Sequence, residues 1–387
     1  MTVVRRDRAF PRFRLFCYRF VMMVHDGKVH PMARLSAAVL SLACVLVSVS
    51  VRPAAAQPVI QPRVIVVAGW ENGADSGDAP GEYQDWVERE HLSETVPVRG
   101  VPGVIFRRND DGVYGLVLRY GSSDLLTLAL DPHFDLTKTY WLFTGISGVN
   151  PDVASVGSVA WARWVVDGDA VREVDDRDIP KDWPYGLYAI GAARPDTLPS
   201  AANHYGSVTD VAELTRAYPL NQGLARWAFA ISRQVRLDDD PKIAAARKVW
   251  IGYPLAQKPP FILMGETLGA ERYWHGASRN LWAERWVKLW TKDAGTFVMT
   301  NEESQSNQRE MRLLASRQLI DPERIMVLRS ASNFDMPPPG IGPTQSMGDE
   351  GPGQPLAFDN NERAGAPVVR ELATHWSRYR DTVPMAQ

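Results

Sequence analysis

Carboxylates and amides near the ends of apolar runs have the clearest chemical capacity in this chain. Glu302 and Glu303 follow the run Phe297-Val298-Met299 and open a predicted helix over 302–319. An ionised carboxylate there can accept two hydrogen bonds from a sugar diol, or it can simply complement the positive end of the helix. Ser332-Asn333 closes another run, 324–330. An amide can offer a donor and an acceptor to a flat heterocycle, or it can make a plain turn. Glu266, after the run 260–265, and His275, a turn later, add two more polar groups. The fifth segment is Thr144-Gly145-Ile146-Ser147-Gly148, where small residues let the backbone turn or let a ligand approach closely.

Other chemistries have no residues to carry them. His91, His133, His204, His275 and His375 are scattered, and none is paired four residues from another, so no metal site is expected. A GxSxG elbow and a phosphate-binding loop are both absent from the sequence. Both cysteines, Cys17 and Cys44, lie near the N-terminus. The rest of the chain therefore has no disulfide, thiolate ligand or cysteine nucleophile, which is compatible with an oxidising compartment.

The elements that must position these residues alternate. Residues 64–68 read as a buried first strand, followed by a glycine-rich acidic loop over 69–81. Glu71, Asp75 and Asp78 would repel an anion there, so the loop is expected to be a mobile lip. Helices are predicted over 82–90 and 122–130, with a strand pair across the turn 109–112. The aromatic run 140–143 reads as a buried strand breaking into the turn 144–151, and 159–166 as one further strand. Three helices follow, over 208–218, 223–235 and 241–250. The helix 278–291 carries Trp282, Trp286 and Trp290 at helical spacing, a stripe that reads as core. The Pro- and Gly-rich stretch 337–355 reads as surface loop and 368–381 as a closing helix. The alternation predicts an α/β fold, a central mixed β-sheet flanked by helices.

Residues 32–56 have the pattern of a secretory leader: Met32-Ala33-Arg34, an apolar core over 35–51, then Ala54-Ala55-Ala56-Gln57 as a cleavage site. Export to the periplasm, with cleavage near Ala56-Gln57, is the expectation. Met22, Met23 and Met32 are all candidate initiators. Residues 57–387 then form one domain. Residues 1–56 carry nine Lys and Arg against Asp7 and Asp26, so of the formal net charge of −2 the remainder carries −9. An acidic body of that kind does not suit nucleic acid as a partner.

Several segments together resemble the purine nucleoside permease family. They are 144–152 (Thr-Gly-Ile-Ser-Gly-Val-Asn-Pro-Asp), 156–160, Leu220-Asn221, 259–268, Tyr273-Trp274-His275-Gly276, 297–300 with Glu303, and 327–334 with Pro337-Pro338. That family is in turn similar, more distantly, to nucleoside phosphorylases and nucleosidases. The resemblance implies a nucleoside phosphorylase-like domain with a purine nucleoside as ligand. Thr144, Gly145, Ser147 and Gly148 would contact phosphate or ribose, Glu303 would hold the ribose hydroxyls, and Ser332 and Asn333 would face the purine. Three departures stand out. Trp141, Leu142 and Phe143 stand where many phosphorylases have a phosphate-gripping arginine. Glu302 replaces a Met, and Asn333 replaces the Asp that acts as general acid in nucleosidases. The resemblance therefore implies either N-glycosidic cleavage using Glu302 and Glu303, or nucleoside binding for a separate inner-membrane transporter. Phosphate is the only co-substrate implied and no cofactor is expected. Homo-oligomers are common among the phosphorylase relatives.

Overall fold

The computed structural model describes residues 59–100, 106–199, 215–348 and 351–386, all within the compact unit Pro58–Gln387. The predicted leader and most of the predicted helix 208–218 lie outside the described residues. Among the described residues, no helix is long and apolar enough to cross a membrane.

The strands, in chain order, are β1 (Val64–Ala68), β2 (Glu94–Thr95), β3 (Phe106–Arg108), β4 (Val113–Val117), β5 (Tyr140–Phe143), β6 (Ile146–Val149), β7 (Val159–Trp161) and β8 (Trp164–Asp167). After them come β9 (Val171–Glu173), β10 (Leu187–Ala189), β11 (Ala217–Pro219), β12 (Ile262–Met264), β13 (Glu266–Gly269), β14 (Phe297–Asn301) and β15 (Ile325–Phe334). All but the β9–β10 pair join one mixed sheet, whose main path runs β11-β8-β13-β14-β6-β15-β5-β1-β4-β3-β2. Helices α1 (Gln84–Arg89), α2 (Ser123–Leu130), α3 (Gln222–Ser232), α4 (Pro241–Ala246), α5 (Ala277–Thr291), α6 (Ser304–Ser316), α7 (Pro343–Gly348), α8 (Gln354–Thr374) and α9 (Trp376–Tyr379) flank it. The α/β expectation of a central mixed sheet flanked by helices holds.

The centre of the sheet fixes the site. β1 and β5 are buried throughout, as expected for parallel strands covered on both faces. β5 and β6 run along the same edge of the ten-residue β15: Phe143 pairs with Val327, and three residues further along both strands Ile146 pairs with Ser330. Between them the chain changes its other neighbour, from β1 alongside β5 to β14 alongside β6. The sheet therefore opens at Thr144-Gly145. The carboxyl ends of β1 and β14 both arrive at this opening, a place where ligands collect in open α/β sheets.

Several expected elements differ. The turn 144–151 contains strand β6. Gly145 alone makes the break, at φ +146°, a conformation that favours glycine. The single strand 159–166 is two strands, because the Glu266 carboxylate accepts the backbone N–H groups of Arg163 (2.9 Å) and Trp164 (2.8 Å) at the joint. Ala217 and Tyr218, expected in a helix, lie in β11. The closing helix α8 starts at Gln354 and continues through Pro367. Part of the predicted loop 337–355 is α7. The tryptophan stripe is core, as expected: Trp282 and Trp286 are buried with Val166, Leu268 and Phe297.

In the acidic loop after β1 the carboxylates bind the chain's own backbone and an arginine. The Glu71 carboxylate accepts N–H groups from Asn72 (2.7 Å), Gly81, Tyr83 (2.8 Å) and Gln84 (2.6 Å). The cluster of N–H groups that could have taken a ligand anion thus holds the chain's own anion. Asp75 pairs with Arg107, and Asp78 accepts the N–H of Ala74 at 3.0 Å.

Candidate functional site

The opening beside Gly145 is a cleft of about 250 Å³. Its walls come mostly from strands and the segments that follow them. The segment after β1 brings Trp70 and Glu82, β6 brings Ile146, Ser147 and Gly148, and the end of β14 brings Thr300, Asn301, Glu302 and Glu303. The end of β15 brings Ser332, Asn333 and Asp335, and Arg272, Tyr273 and Trp274 come from the segment after β13.

At its floor two carboxylates meet across a guanidinium. Arg329, 1% exposed on β15, pairs with Glu303 and donates to Ser304 Oγ at 2.7 Å. A buried arginine must be paired, since an unpaired buried charge costs several kcal/mol, roughly 3–5. Glu82 stands on the other side of Gly145. Its Oε1 accepts the N–H of Ile146 (2.7 Å) and its Oε2 that of Gly69 (2.9 Å). Burial, and next the negative charge of Glu303, push the Glu82 carboxyl from 4.5 up to about 8, against the opposing pull of Arg329. Only glycine fits between them: a Cβ on Gly145 would come within 2.6 Å of Glu82 Oε1 and closer still to Arg329 Nη1. Asn361 of α8 fixes this crossing by donating to Gly145 O and to Ser330 Oγ, both at 3.3 Å.

Glu303 is the residue before α6, whose first turn is capped by Asn301 Oδ1 accepting the N–H of Ser304 at 2.9 Å. Burial, then the charge of Glu303, raises the carboxyl of Glu302. Ser332 Oγ donates to Asn333 Oδ1 at 2.8 Å, and Asn333 Nδ2 donates to Phe334 O at 3.1 Å. One amide proton and one lone pair of Asn333 are left over. The Ser147 hydroxyl is buried on the wall without a partner among the described residues, the condition of a group that a ligand completes. Asp335 is fully buried. Burial drives its carboxyl well above the usual range, even though Asn280 Nδ2 donates to both of its oxygens at 3.1 and 3.0 Å.

The sequence profile of the purine nucleoside permease family matches residues 61–384. The chain belongs to the purine nucleoside permease family. It is 31% identical over 263 residues to probable purine nucleoside permease C285.05 of Schizosaccharomyces pombe, covering 66% of this chain and 73% of that protein. It is 27% identical over 261 residues to the purine nucleoside permease of Candida albicans, of whose length it spans 62%. It is also similar, at 12% identity and a TM-score of 0.45, to a 5'-methylthioadenosine/S-adenosylhomocysteine nucleosidase from Neisseria meningitidis, over 81% of this chain and all of that one.

In this permease-family chain the cleft gathers Ser147, Gly148, Glu302, Glu303, Ser332 and Asn333 of the expected site residues. Gly145 lies beneath it. Three others do not line it. Thr144 is buried, and its hydroxyl donates to Val67 O at 3.3 Å. Glu266 is fully buried and paired with Arg163, so its work is to hold the β7–β8 joint. His275 contacts Ser346 Oγ at 3.1 Å, and burial lowers its pKa. Sequence reasoning missed Glu82, Arg329, Asp335 and Asn361. For Arg329 a signal was present: one charge inside the run Val327-Leu328-Arg329-Ser330 of a strand read as buried requires a buried acid nearby. Among the described residues no group of His, Cys, Asp or Glu could hold a metal ion.

Proposed function

We propose that this protein binds purine nucleosides in the cleft and hydrolyses their N-glycosidic bond. The observation that carries the reading is the pair of carboxylates at the floor. Glu303, fixed by Arg329, holds the ribose hydroxyls, for which a carboxylate's two acceptor oxygens are suited. Glu82, with its carboxyl poised at about 8, takes the proton of the attacking water. Water oxygen bonds to the sugar's anomeric carbon as the bond to the purine nitrogen breaks, through a positively charged sugar that Glu303 stabilises. The departing base leaves with the bonding pair and needs a proton, which Asn333 cannot give. Asp335, kept neutral by burial on the wall two residues away, donates it. The proton on Glu82 then returns through solvent to Asp335. Arg272 is the one cation among the described lining residues, and the Arg329 guanidinium is taken by Glu303, so little positive charge is left to hold a phosphate, which favours water as the nucleophile.

A second reading follows from Asn333 and from the family's name: capture of nucleosides for a separate inner-membrane transporter, without turnover. Export of the chain after cleavage near Ala56-Gln57 belongs to both readings and is checked by cell fractionation. Chromatography of inosine, guanosine and adenosine incubated with the protein, with and without phosphate, separates them. Free base in either condition at equal rates is the expected result. Free base only with phosphate would make it a phosphorylase. Intact nucleoside with a ligand-induced rise in Tm would leave the binding reading.

A further inference from the structure

A second chamber lies behind Asn333. It has a volume of about 280 Å³, and Ser332 and Asn333 form part of its wall as well as part of the cleft's. Its character is different. Val156, Ile243, Val249, Trp250, Phe334 and Ile341 line it, with the Trp250 and Phe334 rings 4.1 Å apart between centroids. The polar cleft already provides for a sugar at Glu303 and a base at Asn333, so the chamber is space that a plain nucleoside leaves unfilled.

The shared wall decides which part of a ligand reaches it. An asparagine amide reads a purine along the edge bearing N7 and the 6-substituent, donating to N7 and accepting from the 6-amino N–H. Asn333 retains one amide proton and one lone pair for that pairing. With the ribose at Glu303 and this edge on Asn333, N7 and the 6-amino group meet the shared wall, and of the two only the 6-amino nitrogen can carry a substituent and remain neutral. One 6-amino hydrogen is used by the amide, and the other is open to substitution.

We infer that the ligand is a purine nucleoside carrying a hydrocarbon arm on its 6-amino group, with the arm seated in the chamber between Trp250 and Ile243. This inference rests on the nucleoside reading above and goes beyond it in naming the substituent. α7, which supplies Gln345 and Ser346 to the chamber, is tied through Ser346 to His275. That gives His275 a role in holding the chamber wall.

The test is calorimetric titration of the protein with adenosine, N6-benzyladenosine and 5'-benzylthio-5'-deoxyadenosine, which places the same ring at the other end of the ligand. N6-benzyladenosine is expected to bind about tenfold tighter than adenosine or better, as burial of a phenyl ring in an apolar chamber requires. The 5'-substituted compound gains nothing. Ile243→Trp fills the chamber and removes the gain while leaving adenosine affinity unchanged. Val249→Asp, at an exposed position on the wall, does the same by charging it. Equal or weaker binding of N6-benzyladenosine alongside normal adenosine binding would overturn this inference alone, as would a gain that survives both variants. Failure of adenosine itself to bind would overturn the nucleoside reading and this inference with it.

Discussion

Glu82, Glu303 and Arg329 form a unit in which each group sets the state of another. The raised carboxyl of Glu82 has a consequence for stability. In the folded protein Glu82 keeps its proton up to about 8, and in the unfolded chain it loses it near 4.5. Between those values the folded state binds more protons, so stability falls as pH rises through the window. Urea unfolding at pH 5.5 and 8 is expected to show this loss, and Glu82→Gln to flatten it. The same carboxyl acts as base only when ionised, so hydrolysis should rise with pH toward about 8. Glu82→Gln should remove that limb and lower the rate by roughly 10²–10⁴. A pH–rate profile of both proteins checks this; an unchanged limb in the variant would remove Glu82 from the mechanism. Glu303→Gln acts differently, since it also leaves Arg329 buried beside a neutral group. Loss of turnover with a destabilisation of about 3 kcal/mol or more is expected, read by product chromatography and urea unfolding. Of these three residues the sequence offered Glu303, because a carboxylate at a strand end is visible locally. Glu82 was hidden inside a predicted helix, since its meaning depends on Gly145 and Glu303, 63 and 221 positions away.

The elements around the cleft were legible where one local pattern dominated. The uniformly apolar run of β1, the helix α5 with its tryptophan spacing and the turn before β4 were all readable. They failed where a distant group overrides the local pattern. Residues 159–166 are apolar apart from Arg163 and read as one strand, yet Glu266 splits them into β7 and β8 by taking two of their N–H groups. Pro367, two residues after Gly365, reads as a helix breaker but sits inside α8. That helix packs close to the sheet at Gly365, where a Cβ would lie 2.6 Å from Trp86 and 3.0 Å from Leu328. Its length matters for function because it carries Asn361 to the break between β5 and β6. At that break Gly145→Ala is expected to be severe: a positive φ must be held and a methyl inserted between Glu82 and Arg329. The expected outcome is a folded but destabilised protein, by roughly 1–3 kcal/mol for the backbone alone, with turnover lost. Circular dichroism together with the chromatographic assay would show it, and a variant of normal activity would mean that the crossing at Gly145 does not set the carboxylate geometry.

Charge acts over the whole molecule. Beyond residue 56 the chain carries a net −9, and Glu303 with Glu302 beside it carries the same sign into the cleft, joined by Glu82 as that carboxyl ionises toward about 8. A neutral nucleoside does not feel this field, but a nucleoside 5'-monophosphate does. Two like charges 4 Å apart repel by about 1 kcal/mol in water and several times more beside protein. Glu303 in its pair with Arg329 leaves that guanidinium unable to compensate, and Arg272 alone faces the remaining acids. Adenosine 5'-monophosphate should therefore bind at least about tenfold more weakly than adenosine. The difference should narrow as salt shortens the screening length from about 10 Å at 0.1 M to about 3 Å at 1 M. Adenosine affinity should be flat across the same series. Titrations of both ligands at low and high salt test this directly. Tighter binding of the monophosphate at low salt would mean that Arg272 dominates the cleft and that the ligand is anionic, which would also reopen phosphate as the nucleophile.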